Sequence, residues 1–253
     1  MDAENNTPLV SVCMTAYNHE DYIAEAIESV LAQQTSFGME LVLGEDCSTD
    51  RTGPICREYA AKYPDRIRLV TSPGNVGMRA NYRRTFDACR GKYVAYLDGD
   101  DWWTDPQKLE LQVELMESDP GCGMCCTAAI DYYQATGERK PYPPERYTDF
   151  DRLLLRTTVA NCTTLARREL IAAYYAEVRP EEHPEWQTDD WPMWLWFAAK
   201  SRIRFIDRPT AAHRRLPESV SHTPSHVKRI AFRDSLMGIS LWFDAHYGTG
   251  RNR

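Results

Sequence analysis

A chain of 253 residues, 43% hydrophobic and 26% charged, has room for one large α/β core or two small ones and has the make-up of an ordinary water-soluble globular protein. No apolar run approaches the roughly 18 residues that span a bilayer, and the N-terminus lacks a basic-then-apolar signal pattern, which points to the cytoplasm. A formal charge of -7 argues against nucleic-acid binding, whose footprint is basic.

Leu9 to Thr15 is a near-continuous apolar run suited to a parallel strand covered on both faces, and Ala16-Tyr17-Asn18 ends it. Apolar residues at helical spacing from Tyr22 to Leu31 predict a helix over 20–34. Met39 to Leu43 is a second strand, closing in Glu45-Asp46-Cys47-Ser48-Thr49-Asp50 before a helix over 52–63. Arg66 to Thr71 is a third, followed by the glycine-bearing loop 73–77 and a helix over 79–89. Lys92 to Leu97, aromatic and β-branched, is a fourth, and it runs straight into Asp98, Asp100 and Asp101. Strand and helix thus alternate four times, which implies right-handed crossovers and a mainly parallel sheet, a nucleotide-binding half over 1–118.

A helix over 108–116 and a strand over 124–133 follow. The stretch 135–149, with three prolines, reads as an irregular surface loop. A strand over 157–165 and a helix over 167–176 come next. Thr188-Asp189-Asp190-Trp191-Pro192 then opens an apolar helix over 193–199, an acid before a proline in the first turn. This is the acceptor half, 119–200, of the same single domain. The remaining segment, 201–253, carries ten Lys/Arg against four Asp/Glu, an excess of +6 that leaves -13 on the first 200 residues. Such a tail suits a cationic flap over phosphates, or a basic face for peripheral contact with a membrane surface or a partner. Of the eight cysteines most sit in apolar patterns as small hydrophobes, while Cys122, Cys125 and Cys126 raise a zinc question that no second ligand pair answers.

Ligands of open α/β sheets sit beyond the carboxyl ends of the strands, where this chain places its acids. Asp98 and Asp100 have the spacing of a D-x-D site for Mg²⁺ or Mn²⁺ held against a substrate phosphate; the competing reading is an acidic turn capping the next helix. Thr15, Tyr17 and Asn18 offer a hydroxyl, a flat ring and an amide for a nucleobase, or simply end a strand and cap a helix. Asp46 is able to accept a base imide N–H or to serve as helix N-terminal charge, and Arg79 to pair with phosphate or base or to stay on an open helix face.

Taken together, Val10-Ser11-Val12 leading to Thr15-Ala16-Tyr17-Asn18, Glu45-Asp46-Cys47-Ser48-Thr49-Asp50-Arg51-Thr52, Asn75-Val76-Gly77, Asp98-Gly99-Asp100-Asp101-Trp102-Trp103 and Asp105-Pro106-Gln107-Lys108-Leu109 resemble family 2 glycosyltransferases of the glycosyltransferase A fold. That resemblance implies an inverting transfer of a sugar from a nucleotide diphosphate, UDP or dTDP favoured, to a glycan, lipid-linked or small-molecule acceptor. It implies a metal at Asp100, with Asp98 and Gly99 near ribose or donor sugar, Asp101 as a further ligand or a supporting group, and base binding by Thr15, Ala16, Tyr17, Asn18 and Asp46. It also assigns Asp190, in a setting like the family's acidic motif, as the base, with Asp189 as the alternative. Where relatives read Tyr-Arg-x-His this chain reads His213-Arg214-Arg215-Leu216. Either His213 or His222 is then the substitute metal ligand, or neither is and substrate and water fill the sphere; Arg214 is a candidate diphosphate contact.

Two other classes stand against this reading. A sugar-phosphate nucleotidyltransferase needs a glycine-rich loop after the first strand, and Thr15-Ala16-Tyr17-Asn18 has no glycine. A silent nucleotide-sugar-binding protein has no need of Asp98, Asp100 and Asp190 together.

Overall fold

The computed structural model describes residues 7–142, 148–216 and 225–248. His222 and residues 143–147 of the proline-bearing stretch lie outside them.

The expected strand and helix alternation is present as β1 (Val10–Ala16), α1 (Ile23–Leu31), β2 (Met39–Glu45), α2 (Thr52–Lys62), β3 (Ile67–Thr71), α3 (Met78–Asp87) and β4 (Tyr93–Asp98). The strands pair in parallel in the order β3-β2-β1-β4. Register aligns Thr15 with both Gly44 and Asp98, so the acids after β2 and β4 emerge on either side of the end of β1. Helix α1 starts later than expected for a local reason. The backbone N–H groups of Asn18, His19 and Glu20 donate to Ser48 Oγ (3.0 Å), Thr52 Oγ1 (2.7 Å) and Asp50 Oδ2 (3.1 Å), which ties the β1 loop to the β2 loop before the helix begins.

Beyond β4 come β5 (Trp102–Trp103), α4 (Lys108–Ser118), β6 (Cys122–Tyr133) and β7 (Glu138–Pro141), then α5 (Phe150–Leu155), β8 (Leu165–Arg167) and α6 (Arg168–Val178). The chain closes with α7 (Asp190–Lys200), β9 (Arg202–Arg215) and α8 (His226–Tyr247). The sheet continues β4-β8-β6-β9-β5, with β6 and β9 parallel and β7 hairpinned onto β6. One curled, mostly parallel sheet with helices on both faces therefore runs through the chain.

Three expectations are corrected here. Residues 157–165 are not a strand: Asn161–Thr163 make a 3₁₀ turn whose Thr163 and Thr164 hydroxyls bond back to the Ala160 and Asn161 carbonyls, and only Leu165–Arg167 reach the sheet. Part of the expected loop 135–149 is strand β7. The basic tail begins as β9, a central strand whose arginines are paired: Arg202 and Arg204 with Asp119, Arg208 with Asp105, Arg214 with Glu25 and Arg215 with Asp131. Carboxylates thus take up the charge of the five arginines in β9, half of the basic residues of 201–253.

Alternating side chains of each strand feed two cores. Val12, Met14, Leu41, Leu43 and Leu97 pack with α1, α2 and α4, whereas Cys13, Val42, Val94 and Tyr96 pack with α3, α6, α7 and α8 through Phe86, Tyr174, Trp194 and Phe243. Trp191, Trp194 and Trp196 are core, as a helical aromatic run usually is. Among the described residues no helix is long and apolar enough to cross a membrane.

Candidate active site

The ends of β1 and β2 form one stitched edge. Asn18 adopts a left-handed φ of 56°, which aims its Oδ1 at the Thr49 N–H (2.9 Å). Tyr17 stays exposed on this edge, as do Val76 of the loop into α3 and Met78, the first residue of that helix, while Thr15 and Ala16 are buried. Asp46 is buried, and its carboxylate accepts the N–H groups of Val76 and Gly77, each at 2.9 Å. The Arg84 guanidinium lies 3.4 Å away and also bonds the Glu45 carbonyl at 2.7 Å. Asp46 thus fixes loop 73–77 against the strand ends, a role that sequence reading missed because α3 and its loop follow some thirty residues later.

Beyond β4 the chain turns sharply, with Asp101 N–H bonding the Asp98 carbonyl (3.0 Å) and Gly99 N–H bonding the Thr15 carbonyl (2.8 Å). A Cβ on Gly99 would stand 2.9 Å from His19 Nδ1 and 2.9 Å from Ile23 Cδ1, so the turn is packed against α1. Asp98 is held on three sides: by Thr15 Oγ1 (3.3 Å), by the Tyr82 hydroxyl and by Asn161 Nδ2 (3.0 Å). Burial and the Asp98 charge push the Tyr82 hydroxyl well up, keeping it a donor. Asp101 faces inward, accepts the Arg214 N–H (2.7 Å) and is pushed up to about 7, chiefly by burial.

Asp100 is the carboxylate of this trio that bonds no other residue's side chain or backbone among the described residues. Burial raises it above the ordinary carboxylate range, the nearby His19 acts to lower it and the Asp98 charge adds to the rise. His19 Nδ1 is itself buried without a hydrogen-bond partner among the described residues. A carboxylate reluctant to ionise beside a second one, with an orphaned imidazole nitrogen close by, is a donor set that fits a divalent cation. Among the described residues no group of three or more His, Cys, Asp or Glu is placed to hold a metal ion.

His213 lies differently from the expected substitute ligand. Its Nδ1 pairs with Asp131 Oδ1 at 3.0 Å, and although burial works to lower it, the Asp101 and Asp131 carboxylates raise it overall. Arg214, expected at a diphosphate, is buried and committed: Nε to the Asp100 carbonyl (2.6 Å), Nη1 to Gln134 Oε1 (2.5 Å), Nη2 to Glu25 (2.5 Å), with the guanidinium 4.6 Å from the Tyr22 ring centre and 4.4 Å from that of Trp102. It stabilises the Asp100 turn from behind.

The two acids before α7 are separated by their partners. Asp189 pairs with Arg79 (Nε to Oδ1, 2.6 Å). Asp190, the first residue of α7, accepts the Thr188 hydroxyl and the Trp191 N–H (2.7 Å) through Oδ1. Burial raises Asp190 above the usual carboxylate range; those two donors pull the other way, and the Asp98 and Asp189 charges add to the rise. Arg79, expected at phosphate or base, instead turns its guanidinium to the segment before α7. The carbonyls and the carboxylate of that half-buried segment need donors, and the Arg79 guanidinium supplies four.

Residues 11–174 match the glycosyl transferase family 2 model, and the chain belongs to that family. An uncharacterized protein of Mycobacterium tuberculosis is 31% identical over 217 residues, 85% of this chain and 61% of its own length. The chain thus spans about three fifths of that relative. Two solved structures share the fold. S. aureus TarS with UDP-GlcNAc has a TM-score of 0.64 at 15% identity, over 96% of this chain and 74% of its own. A mannosyltransferase of Pyrobaculum calidifontis with GDP-Man and Mn²⁺ has a TM-score of 0.61 at 17% identity, over 96% and 76%.

Proposed function

We propose that this chain is an inverting glycosyltransferase that moves a sugar from a nucleotide diphosphate to a hydroxyl of a saccharide, lipid-linked or small-molecule acceptor. The observation that carries the reading is the turn after β4, where Asp98 is fixed by Thr15, Tyr82 and Asn161 beside Asp100, whose carboxylate bonds no other residue among the described ones; Asp190, at the start of α7, lies within reach of the Asp98 charge. Exposed Tyr17, Val76 and Met78 around the Asp46-pinned loop offer a flat apolar platform for a base. The family resemblance favours UDP or dTDP, while GDP-Man in a neighbour of the same fold keeps a purine donor in the test.

Asp100, with His19 beside it, would hold Mg²⁺ or Mn²⁺, which supplies positive charge to the departing diphosphate. Asp98, fixed by Thr15, Tyr82 and Asn161, presents an ordered carboxylate to the hydroxyls of ribose or donor sugar. Asp190 takes the acceptor's proton as the new glycosidic bond forms on the opposite face. Its raised proton affinity makes it a stronger base than a surface aspartate.

A panel of UDP-, dTDP- and GDP-sugars, with and without Mn²⁺, tests this by thermal stabilisation and by slow donor hydrolysis. One donor is expected to stabilise the protein only with the metal, and Asp100→Asn to abolish that shift. Asp190→Asn should keep the shift and lower hydrolysis by about 10²-fold or more, within the range of general-base effects. Because a base works only without its proton, hydrolysis should fall as pH drops through a pKa above the ordinary aspartate range. Turnover only of nucleoside triphosphates with sugar phosphates would transfer the reading to nucleotidyl transfer. Binding without turnover, indifferent to Asp190→Asn, would leave a nucleotide-sugar-binding protein.

A further inference from the structure

We propose that Arg79 is a positioning residue for the base: it clamps segment 180–189 onto the start of α3 and so fixes where α7 presents Asp190. The inference rests on the reading of Asp190 as the base and departs from the role that resemblance gave Arg79, a ligand of the donor.

The geometry is specific. Arg79 is the second residue of α3, and its side chain reaches a segment more than a hundred residues away. Nε bonds Asp189 Oδ1 at 2.6 Å, Nη1 bonds the carbonyls of Pro180 (2.9 Å) and His183 (3.0 Å), and Nη2 bonds the carbonyl of Trp186 (2.7 Å). Four of the five guanidinium N–H groups are thereby spent on one segment. A donor phosphate would find one N–H left.

The segment needs such a clamp. It joins α6 to α7 through a left-handed Arg179 (φ 50°) and a single 3₁₀ turn, Pro180–Glu182, with few backbone bonds of its own. Its other anchors include the Trp186 ring, buried against Trp242 and Phe243 of α8, and the Gln187 N–H bonded to Ser235 Oγ at 2.7 Å. Asp189 Oδ2 is buried with no partner among the described residues, so Arg79 alone compensates that carboxylate. Asp189 and Asp190 are adjacent, and Asp190 opens α7. A shift of the Arg79–Asp189 pair therefore moves the base directly, and a displacement of about 1 Å at a reacting group is enough to cost about 10²-fold in rate.

The experiment compares Arg79→Ala, Arg79→Lys and Asp189→Asn with the unaltered chain in three measurements: amide hydrogen exchange over 180–190, calorimetric Kd for UDP and for GDP with Mn²⁺, and hydrolysis of UDP-GlcNAc and GDP-Man. Arg79→Ala and Asp189→Asn are expected to speed exchange in 180–190 by about tenfold or more. They should lower hydrolysis by about 10²-fold and leave nucleotide Kd within about twofold. Arg79→Lys keeps the charge without the fork that reaches three carbonyls, and should show the same pattern in milder form, which covers the case in which Arg79→Ala does not fold. Unchanged exchange over 180–190, or a Kd weakened about tenfold with exchange intact, overturns the clamp and returns Arg79 to the donor. Asp190→Asn run beside them separates the two ideas: full hydrolysis there removes the base assignment, whatever the segment does.

Discussion

Lys108 shows what a side chain's surroundings do to it. It is wholly buried at the start of α4, with Nζ 2.6 Å from Gln112 Oε1 and 4.5 Å from the centre of the Trp103 ring. Among the described residues it makes no ion pair, and burial pulls it down from 10.5 to about 8. Between those two values the unfolded chain binds a proton that the folded chain has released, so stability rises with pH there, and the cost of the buried ammonium is fully present below about pH 8. Replacing it with Met removes that cost, about 3 kcal/mol for the cited shift, and strands Gln112 Oε1, at about 1–3 kcal/mol. Lys108→Met is therefore expected to be near neutral at pH 7. Wild type should gain about 2 kcal/mol on it between about pH 7 and 9.5, read from urea unfolding at both values. Parallel pH curves would mean that Lys108 keeps its proton in the fold. Nothing in the string Asp105-Pro106-Gln107-Lys108-Leu109 announces this burial. The sequence betrays residues whose chemistry is shared with near neighbours, such as Asp98 and Asp100. It hides those whose partners arrive from afar, such as Asn161 on Asp98 or Arg79 on Asp189, 110 positions away.

Between elements, spacing matters as much as pattern. Helix α3 carries Arg79, Tyr82 and Arg84, three of the side chains that organise the site, and it lies against β2 through Gly44. The Asn81 side-chain amide donates to the Gly44 carbonyl at 2.9 Å, and Thr85 is buried beside it. A Cβ at Gly44 would overlap the Thr85 hydroxyl and stand 2.9 Å from Asn81 Oδ1. Gly44→Ala is therefore expected to destabilise the fold by about 1–3 kcal/mol, the usual cost of overpacking. Adding Thr85→Ala removes the overlapped hydroxyl and should recover part of the loss, a coupling that urea unfolding of the three variants measures. Equal losses in the single and double variants would show that α3 is free to move off β2. The first four strands were readable because each is a short run rich in aliphatic or aromatic residues that ends in turn-forming or acidic ones. Strand β9 was not: five arginines in fourteen residues look like a solvated segment until Asp105, Asp119, Asp131 and Glu25 are seen to meet them. The 3₁₀ turn at Asn161–Thr163 was likewise hidden, since its threonines bond to nearby carbonyls in place of the ladder that their β propensity suggests.

At the scale of the whole molecule, the sheet separates two cores, and the eight cysteines report on both. None is in a disulfide; seven are buried and Cys47, at the end of β2, is half-buried. Cys122 and Cys125 belong to the core beneath α1 and α4, and Cys126 to the opposite core. Their side chains therefore point to opposite faces of the sheet. Burial pushes the Cys56 thiol up to about 12 and raises Cys13, Cys122, Cys125 and Cys162 as well, so these groups are shielded both by packing and by lack of thiolate. With an aromatic disulfide reagent at about pH 8, one thiol, Cys47, is expected to react quickly in the native protein, and Cys47→Ser to remove that phase. The other seven should follow at the rate of global unfolding, because each core is built on side chains of the same strands and neither can open while the sheet persists. If the thiols of one core react well ahead of the other, and ahead of the loss of tryptophan fluorescence, the two faces open separately and the sheet is not the shared cooperative unit that its alternating side chains imply.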